Sequence, residues 1–241
     1  MERTTPADLV SNIYTLFIQT RKVLFSGKFL YVLGFVVLWE GSALFINHVA
    51  ADTVIPLTGM FAVFNLVPLI IIALYVSMML VTFEKDNNTI ETMFAIPGSP
   101  YKVWSYKLVT QNLLILFITI LLALFSFFFI ADFSIVLLVV SVYVPVFLIA
   151  NFNFFLSIVF KNGYAAGLIT LIILFLNFIL MDVLEHSAWF LYLCPFSKPY
   201  DLDIVIWNEK LLYNKASVFS LGILFLYLGL NKLRNREPFI G

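Results

Sequence analysis

The chain has 241 residues, 62% of them hydrophobic and only 12% charged, with a formal net charge of zero and a mean hydropathy of +1.02. A soluble domain carries about twice that share of charge, so the composition excludes an ordinary soluble protein and describes an all-α integral membrane protein. One cysteine, Cys194, excludes an intrachain disulfide and a thiolate metal cluster.

Thr5, Pro6 and Asp8 form a helix start: an N-cap, a first-turn proline and an acid suited to the positive end of a helix. From there Asp8, Asn12, Thr15, Gln19 and Lys22 recur at three- and four-residue steps, while Leu9, Ile13, Phe17 and Leu24 fall on another side. That pattern predicts an amphipathic interfacial helix over residues 5–26, lying along the inner membrane surface. The same stretch has no apolar core followed by a small-residue cleavage site, so a removable signal peptide is not expected.

A span needs about 20 apolar residues, because the hydrocarbon core is about 30 Å thick and a helix rises about 1.5 Å per residue. Six stretches qualify: Phe29 to Asn47, Met60 to Phe83, Leu108 to Ala131, Phe133 to Phe160, Tyr164 to Met181 and Ala216 to Leu230. Pro68 in the second and Pro145 in the fourth predict local breaks in helix geometry. With the amino terminus inside, eleven basic residues fall on the cytoplasmic side and three, Lys198, Lys210 and Lys215, outside. That asymmetry sets the orientation, and an even number of spans leaves both termini cytoplasmic.

The outer segment, residues 182–215, is too rich in Trp189, Phe190, Leu191, Tyr192, Phe196, Tyr200 and Trp207 for a free aqueous loop. Divided by Pro195 and Pro199, it is expected to dip into the interface as two short helices or a re-entrant hairpin. Between the second and third spans lies the longest polar interruption, Glu84 to Lys107. Asn87 and Asn88 suit a turn. Thr89 can cap a short helix through Ile96, which Pro97-Gly98 stops; Ser99 and Pro100 then restart the chain into the third span. Ile90, Met93 and Phe94 share one side of the short helix, as knobs for a partner groove.

These residues resemble the permease (transmembrane) subunits of type-2 ATP-binding-cassette (ABC) exporters. In that family the second and third spans are joined by Glu, a base, an acid, a turn residue, Thr, Leu or Ile, and Glu, with a proline six residues later and a lysine near the next span. Here those positions are Glu84, Lys85, Asp86, Asn88, Thr89, Ile90, Glu91, Pro97 and Lys107. Asn88 stands where glycine is usual, and Gly98 follows Pro97 where an aliphatic residue is usual. The resemblance implies that residues 84–107 form a cytoplasmic coupling segment, with the helix from Thr89 to Ile96 seated in a cleft of a separate ATPase subunit and Glu84, Lys85 and Glu91 as polar anchors. It implies a working unit of two permeases, identical or homologous, and two ATPases, with ATP and Mg bound on the ATPases and no cofactor on this chain.

Glu40 is the one acid placed inside a span, where a carboxylate costs about 3 kcal/mol on insertion scales and should face protein or water. It is either a pathway group that binds substrate or takes up a proton, or a residue near the outer end that is protonated or bonded to Ser42 or to another span. Asn151 and Asn153, in the fourth span, either line a path or bridge helices. His48 and His186 lack metal-ligand spacing, and no GxxxxGK[ST] loop is present, so this chain holds no P-loop of its own. Its basic residues are spread over short cytoplasmic segments and form no nucleic-acid groove. Two functions follow: an exporter subunit driven by a partner ATPase and moving an amphipathic lipid, drug or peptide across the cell membrane, or a secondary transporter coupled to ions through Glu40.

Overall fold

The computed structural model describes residues 27–49, 56–86, 100–180, 184, 187, 190–200 and 202–234. Every regular element among them is helical, with no strand. The order is α1 (Gly27–Val49), α2 (Leu57–Gly59, a π-helical segment Met60–Leu66, then Val67–Asp86), α3 (Pro100–Phe129), α4 (Ile135–Val159), α5 (Gly163–Ile179) and α6 (Ile204–Arg234). Four stretches are long and apolar enough to cross a membrane: Leu57–Thr82, Val103–Phe129, Ile135–Val159 and Ile204–Leu233. This complement is compatible with a multi-pass membrane protein. Two shorter apolar helical stretches are Phe29–Ser42 and Gly163–Ile179. At 17 residues, α5 is about 25 Å long, a few ångströms less than a typical hydrocarbon core. The expected interfacial helix over 5–26 lies outside the described residues.

Helix α4 is the hub, packed against α2, α3, α5 and α6. Its sequence, IVLLVVSVYVPVFLIANFNFFLSIV, is apolar on nearly every side, as a helix surrounded by others should be. Glycines set how close its neighbours come. A Cβ built on Gly222 of α6 would lie 2.6 Å from the Phe147 ring, and one on Gly229 would lie 2.9 Å from Phe154. On α5, Gly163 and Gly167 form a G-x-x-x-G pair against α2, and Cβ atoms there would collide with the Met78 carbonyl and its thioether. Small residues at such crossings let helices in lipid gain van der Waals contact.

Local signals explain the helix boundaries. Ser134 caps α4, its hydroxyl accepting from the Leu137 amide, and Asn162 caps α5, accepting from the amides of Tyr164 and Ala165. Between them Lys161 takes a left-handed φ of 52°, closing α4 with a bond from the Asn162 amide to the Ser157 carbonyl at 3.2 Å. Helix α3 opens on Pro100, as the Ser-Pro signal predicts. Helix α6 departs from expectation. It begins at Ile204, so residues 204–215, expected in the outer segment, form its first three turns, and the outer segment is correspondingly shorter.

Both internal prolines leave a carbonyl without its helical donor, and in each case a neighbouring helix supplies one. In the π-helical segment the Val67 amide bonds five residues back, to Ala62. In that register the donor for the Val63 carbonyl would be residue 68, a proline with no N–H. The Trp39 indole of α1 donates to it instead, at 2.9 Å. In α4, Pro145 cannot donate to the Ser141 carbonyl, and Lys215 of α6 reaches it with Nζ at 3.3 Å. This is how proline is tolerated inside apolar helices, where water cannot take the freed group.

Candidate functional site

A layer of buried amides and hydroxyls runs through the bundle around α4. Asn153 is fully buried. Its Nδ2 donates to Ser77 Oγ of α2 at 2.7 Å, and its Oδ1 accepts from Thr170 Oγ1 of α5 at 3.1 Å. Two residues earlier, Asn151 forms a reciprocal amide pair with Asn112 of α3, at 3.3 and 3.4 Å. Asn151 also donates to the Phe147 carbonyl at 2.8 Å. The two asparagines expected either to line a path or to bridge helices thus each bridge, together tying α2, α3 and α5 to α4. Ser77, Thr170 and Asn112 complete the layer; as polar residues within apolar helices they were visible in the sequence, but nothing there paired them.

Glu40 lies on the buried side of α1, 6% exposed, with both carboxylate oxygens lacking a hydrogen-bond partner among the described residues. Ser42, one of the partners considered for it, instead donates its hydroxyl to the Trp39 carbonyl at 2.9 Å. Gln111 of α3 is likewise buried with both amide atoms unpartnered. No contact places Glu40 beside Asn151 or Asn153, which engage other helices.

The outer segment is a plug. Phe190, Leu193, Cys194 and Pro195 are buried, and residues 190–197 run in successive turns; much of the stretch from 181 to 189, where a first short helix or hairpin arm was expected, lies outside the described residues. Phe190 and Leu193 pack on Trp207 and Leu211 of α6, while Leu191 and Tyr192 reach a cluster of Leu74, Ile149 and Leu174. Helix α6 ties the plug down by its backbone. Asn214 Nδ2 donates to the Phe190 carbonyl at 2.9 Å, the Trp207 indole to that of Pro195 at 3.3 Å, and Lys215 Nζ to that of Leu193 at 2.9 Å. Lys215, counted above as an outer loop base, is therefore a buried clamp joining the plug to the Pro145 break of α4.

Between the plug and the π-helical segment is a cavity of about 380 Å³. Phe61, Ala62, Leu66 and Ile70 of α2 form one wall, Phe178 of α5 and Leu193 of the plug another. Its polar lining residues are Thr58, Tyr192, Cys194 and Ser197. Ser197 donates its hydroxyl hydrogen to the Cys194 carbonyl at 3.0 Å, and burial pushes the Tyr192 phenol further up, so it stays neutral.

Of the connector, the structure describes the two ends. Glu84, Lys85 and Asp86 form the last turn of α2; Asn88, Thr89, Ile90, Glu91, Met93, Phe94 and Pro97 lie outside the described residues. On the far side, Trp104 is buried, with its ring 5.8 Å from that of Phe154 of α4. Lys107 Nζ sits 5.3 Å from the centroid of the Trp104 ring, and the side chain is buried. No protein-family model, curated protein or solved structure matches the chain.

Proposed function

We propose that the chain is the membrane-spanning subunit of an ATP-driven ABC exporter, with six spans, an interfacial amino-terminal helix and both termini in the cytoplasm. It pairs with a second permease, identical or homologous, and with two cytoplasmic ATPase subunits that carry ATP and Mg. The observation that carries this reading is the connector motif: Glu84, Lys85, Asp86, Asn88, Thr89, Ile90, Glu91 and Pro97, between one apolar helix ending at Asp86 and another starting at Pro100.

The packing of α3 supports a mechanical role. A push on the segment from Thr89 to Ile96 reaches Pro100 directly and then Trp104, which is wedged against Phe154 of the hub helix. Helix α4 is in turn joined to α2, α3 and α5 by the asparagine layer and to α6 by Lys215. Closure of the ATPases thus moves α3 and the bundle with it, while the plug closes the outer end of a path between the two permeases. The aromatic and apolar outer segment suits an amphipathic substrate such as a lipid, drug or peptide. Deleting Thr89 to Ile96, or replacing Glu91 with alanine, should abolish ATPase association and leave membrane insertion intact; co-purification equal to that of the unaltered chain would refute the proposal.

The buried, unpartnered carboxyl of Glu40 favours a second reading, a secondary transporter in which that group takes up the coupling ion. Substrate movement driven by a proton gradient in vesicles free of ATPase, lost in Glu40→Gln, would select it.

A further inference from the structure

We infer that the cavity between the π-helical segment and the plug binds a single hydrocarbon chain of an uncharged amphiphile, drawn sideways from the surrounding lipid. This rests on the membrane setting of the helices and needs no ATPase partner.

Its size, about 380 Å³, falls within the range of about 300–1,000 Å³ typical of small-ligand sites. Its described walls are apolar: among the described residues that line it, none is Asp, Glu, Lys, Arg or His. A phosphate or ammonium head against these described residues would meet no opposite charge, which favours an occupant that is uncharged there. Water is a poor occupant too, because a buried water needs two to four polar partners and most of the described lining is apolar, with the Ser197 hydrogen already committed. Thr58 and Tyr192 are the lining residues with hydroxyls left to meet a hydroxyl or ester oxygen of the occupant.

The route in is lateral. Phe178 lines the cavity while 63% exposed, between Leu176 and Ile179, which are also exposed on the apolar outside of α5. The space is also held open from both sides. Asn65 donates to Ser126 Oγ of α3 at 2.9 Å and Trp39 to the Val63 carbonyl, bracing the π-helical wall. Lys215 and Asn214 fix the Leu193 and Phe190 carbonyls of the opposite wall. A π turn inside an α-helix is costly and recurs at functional sites, and here it presents Phe61, Ala62 and Leu66 to the cavity.

The test uses the full chain purified into phosphatidylcholine nanodiscs and a monoacylglycerol carrying a photoreactive diazirine on its acyl chain. After irradiation, adducts should concentrate on residues 58–70 and 190–197, fall several-fold with excess unlabelled monoacylglycerol, and fall several-fold in Ala62→Phe, which fills the cavity. Leu171→Phe, on the exposed face of α5, should leave them unchanged. Because Ala62→Phe could disturb folding, the unaltered chain supplies a second readout: alkylation of its sole cysteine, Cys194, by N-ethylmaleimide should slow several-fold when monoacylglycerol is added. Adducts spread over the exposed faces of all helices without competition, or Cys194 alkylation indifferent to the amphiphile, would overturn the inference.

Discussion

Asn153→Ala measures how strongly the hub helix is tied to its neighbours. The substitution removes two interhelical hydrogen bonds, to Ser77 at 2.7 Å and from Thr170 at 3.1 Å. Such bonds in membrane bundles average about 0.6 kcal/mol each and reach about 1.7. The partners are not orphaned. Ser77 Oγ still donates to the Ala73 carbonyl at 2.7 Å and Thr170 Oγ1 to that of Ala166 at 2.9 Å, so no unsatisfied-donor penalty is added. The expected loss is therefore about 1–2 kcal/mol, with a void at a fully buried position raising it toward the upper figure. Titration with sodium dodecyl sulfate in mixed micelles, followed by the fluorescence of the four tryptophans, would measure it. A double-mutant cycle with Ser77→Ala isolates the bridge, and its coupling should be at least about 0.6 kcal/mol. Additive effects of the two substitutions would refute the bridge and with it the role of α4 as a tied hub.

Three further outcomes follow from the backbone. Lys161→Gly relieves a left-handed residue between α4 and α5 and should raise stability by about 1 kcal/mol in the same titration. Trp39→Phe leaves the Val63 carbonyl without its donor and should cost about 1–3 kcal/mol; in a Pro68→Ala background, where an amide returns to position 68, the cost should shrink. Lys215→Met should free the plug, read as faster alkylation of Cys194 by a small thiol reagent with membrane insertion unchanged.

Apolar runs were legible wherever they were uninterrupted. The second, third and fourth predicted spans coincide with α2, α3 and α4 to within a few residues, apart from the early start of α3 at Pro100. The start of α6 was not found, because Glu209, Lys210 and Lys215 depress any hydropathy average across residues 204–215. A helical period would have revealed it: Trp207, Leu211, Asn214, Lys215 and Val218 are all buried, at steps of three, four and seven. The prolines announced broken geometry, yet what captures the freed carbonyls comes from far along the chain. Trp39 lies 24 residues from Val63, and Lys215 lies 74 from Ser141. Nothing local distinguishes such a tryptophan from an interfacial one, or such a lysine from a topology signal. Asn151 and Asn153 were legible as polar residues inside a span, whereas their partners depended on how four helices meet. The connector was proposed from sequence alone, since its spacing of turn, cap, acid and proline is local; residues 87–99 lie outside the described residues.

The proposed role of residues 84–107 is to transmit force from a separate ATPase. The direct measurement is affinity purification of the tagged full chain from its native membranes, with subunit stoichiometry and ATP turnover determined on the isolated complex. The proposed function requires one cytoplasmic ABC ATPase per copy of this chain, in an assembly with two of each, whose association is lost in Glu91→Ala. A chain isolated in folded form without any ATPase, or an ATPase retained unchanged when Thr89 to Ile96 is deleted, would contradict it.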